Sequence, residues 1–240
     1  MSIEPPPTPG ATTGSSDAAV RILFVGNSFT AHHDLPALVT QLAASAPRAR
    51  VVGTRMITAG GASLRRHWNA ATVHAALRDA PWDNVVLQDQ STLPVKNAAR
   101  YRDNVSAFVP LVRAHGATPV LYLTWARRDM PQAQAVLTET IVAVAREVGA
   151  GVAPVGVGWQ AARDTCPDIE LYVKDGSHPT PAGAYLAACV FLVTLFGIAP
   201  TALPAFPPRA LDPLVARRLQ AIAADLADWS GAQGLINPRR

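Results

Sequence analysis

The chain has 240 residues, 49% of them hydrophobic and 16% charged, which is enough for one sizeable domain with its own core. The formal net charge of +4 comes mainly from arginines spread along the chain, and the absence of a dense basic run argues against a nucleic-acid-binding protein. Because the two cysteines, Cys166 and Cys189, lack a C-x-x-C spacing, no metal site is predicted.

The first 20 residues, MSIEPPPTPGATTGSSDAAV, are predicted to form a disordered leader, since they are rich in proline, glycine, serine and threonine. They lack the positive start and the apolar stretch of a secretory signal. A cytoplasmic location is therefore expected, and export by a processed signal is the alternative. Residues 21–240 are predicted to form a single domain.

Strand and helix patterns alternate along this domain. Strands are predicted at 21–26, 50–58, 83–88, 117–125 and 150–157. Helices are predicted at 34–46, 63–79, 98–116, 131–149, from Thr180 onward, and near 211–229, with a proline-rich connection at 200–210. The alternation predicts an α/β fold, a three-layer α/β/α sandwich with a mostly parallel five-stranded sheet.

The apolar stretch at 182–199 is almost long enough to span a bilayer. A polar segment with a histidine leads directly into it, and GIAP closes it. A helix buried between a sheet and a neighbouring helix has the same composition, so we predict a buried helix and no membrane span.

In parallel sheets, ligands bind at the carboxyl ends of the strands, so the stretches that follow each strand are the candidates for chemistry. Gly26-Asn27-Ser28 follows the first strand, and the glycine permits a sharp turn that exposes Ser28. Ser28 is a candidate nucleophile, which needs a base to take its proton. The alternative is a serine that caps the next helix.

Polar or flexible residues also follow the next three strands. Gly60-Gly61 leaves backbone N–H groups free at a helix start, which suits an oxyanion, although a tight turn has the same sequence. Gln88 and Gln90 follow the third strand, where a carboxamide can donate to a developing negative charge or hold a polar turn. After the fourth strand, Trp125 could wall a pocket, and an arginine at 127–128 could hold an anionic group.

The loop before the long helix contains Asp175 and, three residues later, His178. Gly176 lets this loop bend, so the carboxylate can fix the tautomer of the imidazole and leave Nε2 as a base. An incidental surface pair is the alternative. Nucleophile, oxyanion donors, base and orienting acid would all lie at one edge of one sheet.

In this order, the blocks GNSFT, AGGAS, LQDQS and DGSHPT resemble those of the SGNH (GDSL-like) hydrolases, over roughly residues 21–197. Within that superfamily, they are similar to a bacterial subgroup with GNSxT, LQxQS and DGxHPT blocks. The resemblance implies a flavodoxin-like α/β/α fold, a Ser28–His178–Asp175 triad and no cofactor. The family usually places Gly-x-Asn in the third block, and no asparagine is present there.

The resemblance implies an oxyanion hole made by the backbone N–H groups of Ser28 and Gly61 and the amide of Gln90. Gly60 and Gln88 are the alternatives in the second and third blocks. Further predicted substrate contacts are Asn27, Trp125 and Arg127.

The predicted function is a serine esterase that hydrolyses small acyl esters, with acetyl groups on carbohydrates as the expected substrates. The expected partner is thus a small-molecule ester, with no nucleic acid and no cofactor. An O-acyltransferase that uses the same site is one alternative. A non-catalytic carbohydrate-binding module with the same fold is another.

Overall fold

The structure is a computed structural model that describes residues 19–203 and 211–238. Most of the predicted leader, residues 1–18, and most of the proline-rich connection, residues 204–210, lie outside the described residues. The strands are β1 (Val20–Gly26), β2 (Val52–Thr58), β3 (Asn84–Leu87), β4 (Thr118–Tyr122) and β5 (Gly151–Ala153).

Helices fill the connections between the strands and the C-terminal part of the chain. They are α1 (Ser28–Ala31), α2 (Leu35–Ala44), α3 (Leu64–Asn69), α4 (Ala71–Asp79), α5 (Leu93–Lys96), α6 (Ala98–Ala114), α7 (Ala133–Val148), α8 (Val155–Thr165), α9 (Pro181–Phe196), α10 (Pro213–Ala224) and α11 (Trp229–Ala232). Short 3-10 helices cover His32–Asp34 and Pro200–Ala202.

The five strands form one sheet in the order β2-β1-β3-β4-β5, and every neighbouring pair is parallel. This order is the flavodoxin-like one, so the predicted α/β/α fold with a five-stranded parallel sheet is confirmed. The carboxyl ends of β1 and β2 are aligned, since Gly26 pairs with Thr58. The loops after these two strands therefore start side by side.

Both faces of the sheet are covered, which explains why β1 is an unbroken apolar run. Ile22 and Phe24 belong to the core shared with α2, α8, α9 and α10. Leu23 and Val25, on the opposite face, belong to the core shared with α3, α4, α6 and α7.

Helix α9 lies at the centre of the core that contains Ile22 and Phe24, because every residue from Ala182 to Leu195 is buried. Thr180 caps its N-terminus by accepting a hydrogen bond from the Gly183 N–H at 3.2 Å. The predicted buried helix is therefore observed. In the parts of the chain described here, no helix combines the length and the apolar character that crossing a membrane requires.

The fifth predicted strand, 150–157, is wrong in its second half. The strand ends at Ala153, and α8 begins at Val155, a helix that the apolar run VAPVGV concealed. Gly156 in the first turn of α8 lies so close to the segment after β4 that an added Cβ would be 2.2 Å from the Thr124 carbonyl oxygen. Tertiary packing, which periodicity does not report, selects the helix here.

Other boundaries also differ from the prediction. The predicted helix at 63–79 is two helices, α3 and α4, because Ala70 between them is extended with φ −89° and ψ 121°. The predicted final helix near 211–229 is α10, followed by the separate short helix α11.

Candidate active site

Ser28 is the first residue of α1 and stands directly after the end of β1. Asn27 caps this helix, with its Oδ1 accepting a hydrogen bond from the Phe29 N–H at 3.1 Å. The Asn27 Nδ2 donates to the carbonyl oxygen of Ala62 at 3.0 Å, and the Asn27 side chain is buried. Asn27 thus ties the serine loop, residues 26–31, to the loop after β2, and the predicted substrate contact by Asn27 is not supported.

Gly26 is required by close packing at the end of β1. A Cβ at this position would lie 2.5 Å from Thr30 Oγ1 and 2.6 Å from Gln88 Oε1. Gln88 Oε1 accepts hydrogen bonds from the Asn27 N–H at 2.8 Å and from the Thr30 hydroxyl at 3.1 Å. The serine loop is therefore wrapped around the amide of Gln88.

Asp175 and His178 lie in the histidine loop, residues 173–180, which leads into α9. Asp175 Oδ1 accepts hydrogen bonds from the backbone N–H groups of Ser177 at 2.8 Å and of His178 at 2.9 Å. Gly176, with φ +66°, supplies the left-handed residue that this fold-back needs. The Trp125 indole N–H donates to the Ser177 carbonyl oxygen at 2.9 Å and so attaches the histidine loop to the segment after β4.

The two loops meet at the side chains of Ser28 and His178. Ser28 Oγ lies 2.8 Å from His178 Nε2, and His178 Nδ1 lies 2.5 Å from Asp175 Oδ2. When Nδ1–H donates to the carboxylate, Nε2 is left as the acceptor of the serine proton. The hydrogen bond from the His178 side chain, followed by those from the two backbone N–H groups, holds the pKa of Asp175 well below its usual range, so this carboxyl stays ionised.

The glycine loop, residues 59–63, lies beside the serine loop and is open. Gly60 and Gly61 are exposed, and Gly61 has φ +62°. Within residues 19–203 and 211–238, the backbone N–H groups of Ser28, Gly60 and Gly61 donate no hydrogen bond. All three are thus available to a ligand, and the choice between Gly60 and Gly61 stays a prediction.

The two candidate glutamines differ in their surroundings. Gln88 is fully buried, and its Nε2 donates to the Asp89 carbonyl oxygen while its Oε1 holds the serine loop. The alternative assignment of Gln88 as an oxyanion donor is therefore not supported. Gln90 is half-buried, and its Oε1 accepts from both the N–H and the hydroxyl of Thr92 at 3.0 Å. Its Nε2 makes no hydrogen bond to any residue that the structure describes.

Asp89, between these glutamines, is a buried positioning residue that the sequence reading left without a role. Its Oδ1 accepts from the N–H groups of Leu64 at 3.0 Å and Gln90 at 2.7 Å, and its Oδ2 accepts from Asn104 Nδ2 at 2.9 Å. Burial raises the pKa of Asp89, and these hydrogen bonds oppose that shift. Asp89 therefore fixes the start of α3 relative to the Gln90 backbone.

His67 and His32 are two further residues that the sequence reading missed. His67 is buried, and its Nε2 donates to the Gly26 carbonyl oxygen at 2.7 Å, at the base of the serine loop. The His32 ring is stacked on the ring of His178, with centroids 4.4 Å apart. The available signal for His32 was its position four residues after Ser28, one helical turn away.

Trp125 and Arg127 line a cavity of about 80 Å³ between the loops that follow β3 and β4. Trp125 is buried, and its ring stacks on those of Trp159 and Phe29, with centroid distances of 3.7 Å and 4.7 Å. Only an edge of the Trp125 ring therefore faces the cavity. Arg127 is exposed. The apolar part of the lining consists of Val95, Trp125, Ala126, Met130, Ala133 and Leu137.

Several larger depressions lie away from this group of residues, and two of them exceed about 600 Å³. One of about 1040 Å³ runs along α7 and α8, and one of about 670 Å³ lies beside the start of β4 and the C-terminal segment. Neither is lined by a residue of the serine, glycine or histidine loops. Across the described ranges, no group of three or more His, Cys, Asp or Glu side chains could hold a metal ion.

The chain matches no protein-family model, and comparison with curated proteins gives no match. Among solved structures, it is similar to a protein from Slackia heliotrinireducens that is described as an SGNH hydrolase. The two are 32% identical with a TM-score of 0.64, and the match covers 73% of this chain and 98% of that one.

Two more distant structures share the fold. A DUF4886 family protein from Bacteroides uniformis is 22% identical with a TM-score of 0.72, over 92% of this chain and 98% of that one. Axe2, an acetylxylan esterase from Geobacillus stearothermophilus, is 14% identical with a TM-score of 0.59, over 72% of this chain and 92% of that one.

Proposed function

Because the chain belongs to the SGNH hydrolases, we propose that it is a serine esterase in which Ser28 is the nucleophile, His178 the general base and Asp175 the residue that orients His178. The observation that carries this proposal is the 2.8 Å contact between Ser28 Oγ and His178 Nε2, with Asp175 on the other ring nitrogen. Nucleophile, base and orienting acid in hydrogen-bonding reach are what acyl transfer by a serine requires.

In the first half of the reaction, the serine oxygen attacks the ester carbonyl carbon while His178 Nε2 takes the hydroxyl proton. The ionised Asp175 stabilises the imidazolium that forms. The tetrahedral intermediate then collapses, the C–O bond to the alcohol breaks, and the imidazolium gives its proton to the leaving oxygen. Ser28 is left as an acyl ester.

Three donors are proposed for the oxyanion: the N–H groups of Ser28 and Gly61 and the Nε2 of Gln90. The support for the first two is that both N–H groups are free and stand on loops that begin at paired strand ends. The support for Gln90 is that Thr92 fixes its oxygen, which leaves the amide nitrogen as the unpaired end. Fixed donors of this kind stabilise the charge without reorganisation.

In the second half, water replaces the alcohol. His178 takes a proton from a water molecule, whose oxygen attacks the acyl carbon, and the proton returns to Ser28 as the carboxylic acid leaves. An acyltransferase would differ only at this step, where a sugar hydroxyl would take the place of water.

We propose a small acyl group, with acetyl esters of carbohydrates as the substrate class. The support is the cavity of about 80 Å³ lined by Ser91, Thr92 and Trp125, which is too small for a long acyl chain. The exposed glycine loop leaves the opposite side of the site open, as a bulky alcohol such as a sugar would need.

The test is a series of p-nitrophenyl esters from acetate to octanoate, followed by acetylated xylose oligomers, assayed with the wild type and Ser28→Ala. We expect Ser28→Ala to lower kcat for the acetate ester by a factor on the order of 10⁴ or more, because the nucleophile is removed. A fluorophosphonate probe should label the wild type and not the variant.

Ser45→Ala, at the opposite edge of the sheet, is the matched control and should keep wild-type activity and labelling. Wild-type activity in Ser28→Ala would refute the proposal. Transfer of the acetyl group to an added sugar in preference to water would assign the protein to the acyltransferases instead.

A further inference from the structure

The imidazole of His178 contacts two aromatic rings that belong to the same short segment as Ser28. The His32 ring is nearly parallel to it, with centroids 4.4 Å apart and an angle of 15° between the planes. Phe29 approaches it with a centroid distance of 5.5 Å and an angle of 50°. Ser28 begins α1 and His32 caps its end, so one segment carries the hydroxyl and both rings that contact the imidazole of His178.

The residues that follow His32 attach this segment to the histidine loop. His33 and Asp34 have φ of +55° and +49°, a conformation that residues other than glycine keep only when their surroundings hold it. His33 Nε2 donates to the Pro179 carbonyl oxygen at 3.1 Å, and Asp34 Oδ1 caps α2 by accepting from the Ala37 N–H at 3.3 Å. The position of the His32 ring is therefore fixed on both sides.

The charged groups that face His32 are His178 and Asp175 on the histidine loop and His33 on its own segment. Burial lowers the pKa of His32 below 6.5, His178 and His33 lower it further, and Asp175 opposes them. His32 is thus neutral at neutral pH, and an uncharged flat ring covers one face of His178.

We propose that His32 is a positioning residue: its ring holds the His178 imidazole in the plane that serves both Ser28 and Asp175, and protonation of His32 lowers activity at acid pH. The proposal rests on the esterase function above. An imidazolium forms at His178 in the transition state, so a second positive charge stacked on it raises the barrier. Loss of the stacked ring frees His178 to tilt, and misplacement of a catalytic group by about 1 Å can cost about 100-fold in rate.

The test compares His32→Ala and His32→Phe with the wild type on p-nitrophenyl acetate. We expect His32→Ala to lose about 10- to 100-fold in kcat with KM little changed, because orientation and not binding is affected. His32→Phe keeps a flat ring and should keep a kcat close to that of the wild type. His115→Ala, a histidine at the opposite edge of the sheet, is the control and should match the wild type.

The pH profile separates positioning from a general structural role. At the acid end, log(kcat/KM) of the wild type should fall more steeply than that of His32→Phe, because only the wild type can protonate the ring at position 32. Wild-type kcat in His32→Ala, or an unchanged acid limb in His32→Phe, would overturn the proposal. If His32→Ala does not fold, the His32→Phe profile decides.

A measurement without substrate separates this proposal from the esterase function. In an NMR titration, the pKa of His32 should rise toward its ordinary value in His178→Gln, because a neighbouring positive charge is lost. An unchanged His32 titration contradicts the stack whatever the enzyme hydrolyses. Full esterase activity of Ser28→Ala refutes the proposed function and leaves this titration result unaffected.

Discussion

The serine loop after β1 and the glycine loop after β2 are neighbours, yet they are built in opposite ways. In the serine loop, Gly26, Asn27 and Thr30 are buried and bonded to Gln88, Ala62 and His67. In the glycine loop, Gly60 and Gly61 are exposed, and an added Cβ at either position would meet nothing within 4 Å.

The difference separates two requirements of the proposed chemistry. A nucleophile must be held in one orientation, which the enclosed loop provides by using nearly every polar group internally. An oxyanion donor must be free to bond a ligand, which the open loop provides by leaving the N–H groups of Gly60 and Gly61 unpaired. The segment after β3 serves both requirements, because Gln88 fills the enclosed loop and Gln90 keeps a free amide nitrogen.

Among the variants that test the contrast between the two loops, Gln90→Ala should have the largest effect on activity. Loss of one oxyanion donor should lower kcat by about 100- to 1000-fold, with little change in the free energy of unfolding. Gln88→Ala should instead lower the free energy of unfolding by about 1–3 kcal/mol, because the Asn27 N–H is left buried without an acceptor. Kinetics and urea unfolding of both variants test this, and equal destabilisation by the two would remove the distinction.

Gly26→Ala and Gly60→Ala are a matched pair of variants, of which only Gly26→Ala should lower the stability of the protein. At position 26, the added methyl group meets Thr30 Oγ1 at 2.5 Å and Gln88 Oε1 at 2.6 Å, so we expect a loss of about 1–3 kcal/mol in stability. At position 60 it meets nothing within 4 Å, and the change should stay within about 1 kcal/mol. Similar denaturation midpoints for the two variants would contradict the contrast.

The smallest expected effect is a change in how the free energy of unfolding depends on pH, through His67 beside the enclosed loop. Burial lowers the pKa of His67, so in acid the unfolded chain binds a proton that the folded protein does not. Stability should therefore fall as the pH drops through 6.5 toward the lowered folded-state pKa, and level off below it. His67→Gln keeps an N–H donor for Gly26 without this titration, so its unfolding free energy between pH 7.5 and about 5 should vary less than that of the wild type. Parallel curves would show that His67 has no part in the dependence.

Most of the fold could be predicted because both faces of the sheet are covered. That arrangement makes most of the strands short apolar runs and most of the helices amphipathic, which are the two patterns that a sequence displays most clearly. The errors lie where packing overrides pattern: the first turn of α8, whose residues look like a strand, and the break at Ala70, where no glycine or proline marks the interruption.

The family and the enzyme class were also predicted correctly, and the similarity to the Slackia protein confirms both. The rule that ligands bind at the carboxyl ends of parallel strands pointed to Ser28 but not to His178, because the histidine loop follows α8 and not a strand. The two side chains, 150 positions apart, nevertheless meet there. The supporting residues were hidden. The sequence LQDQ does not show that Gln88 fills the serine loop while Gln90 keeps a free amide nitrogen. That difference depends on which of the two side chains is buried in the fold.

The attachment of the histidine loop to α9 has a consequence for how the enzyme would be inactivated. Only two residues separate His178 from the start of α9, and this helix is buried from Ala182 to Leu195. The general base therefore cannot be displaced far unless this helix leaves the centre of the molecule. Heat or denaturant should consequently abolish catalysis and global structure in one event, with no folded but idle species accumulating on the way.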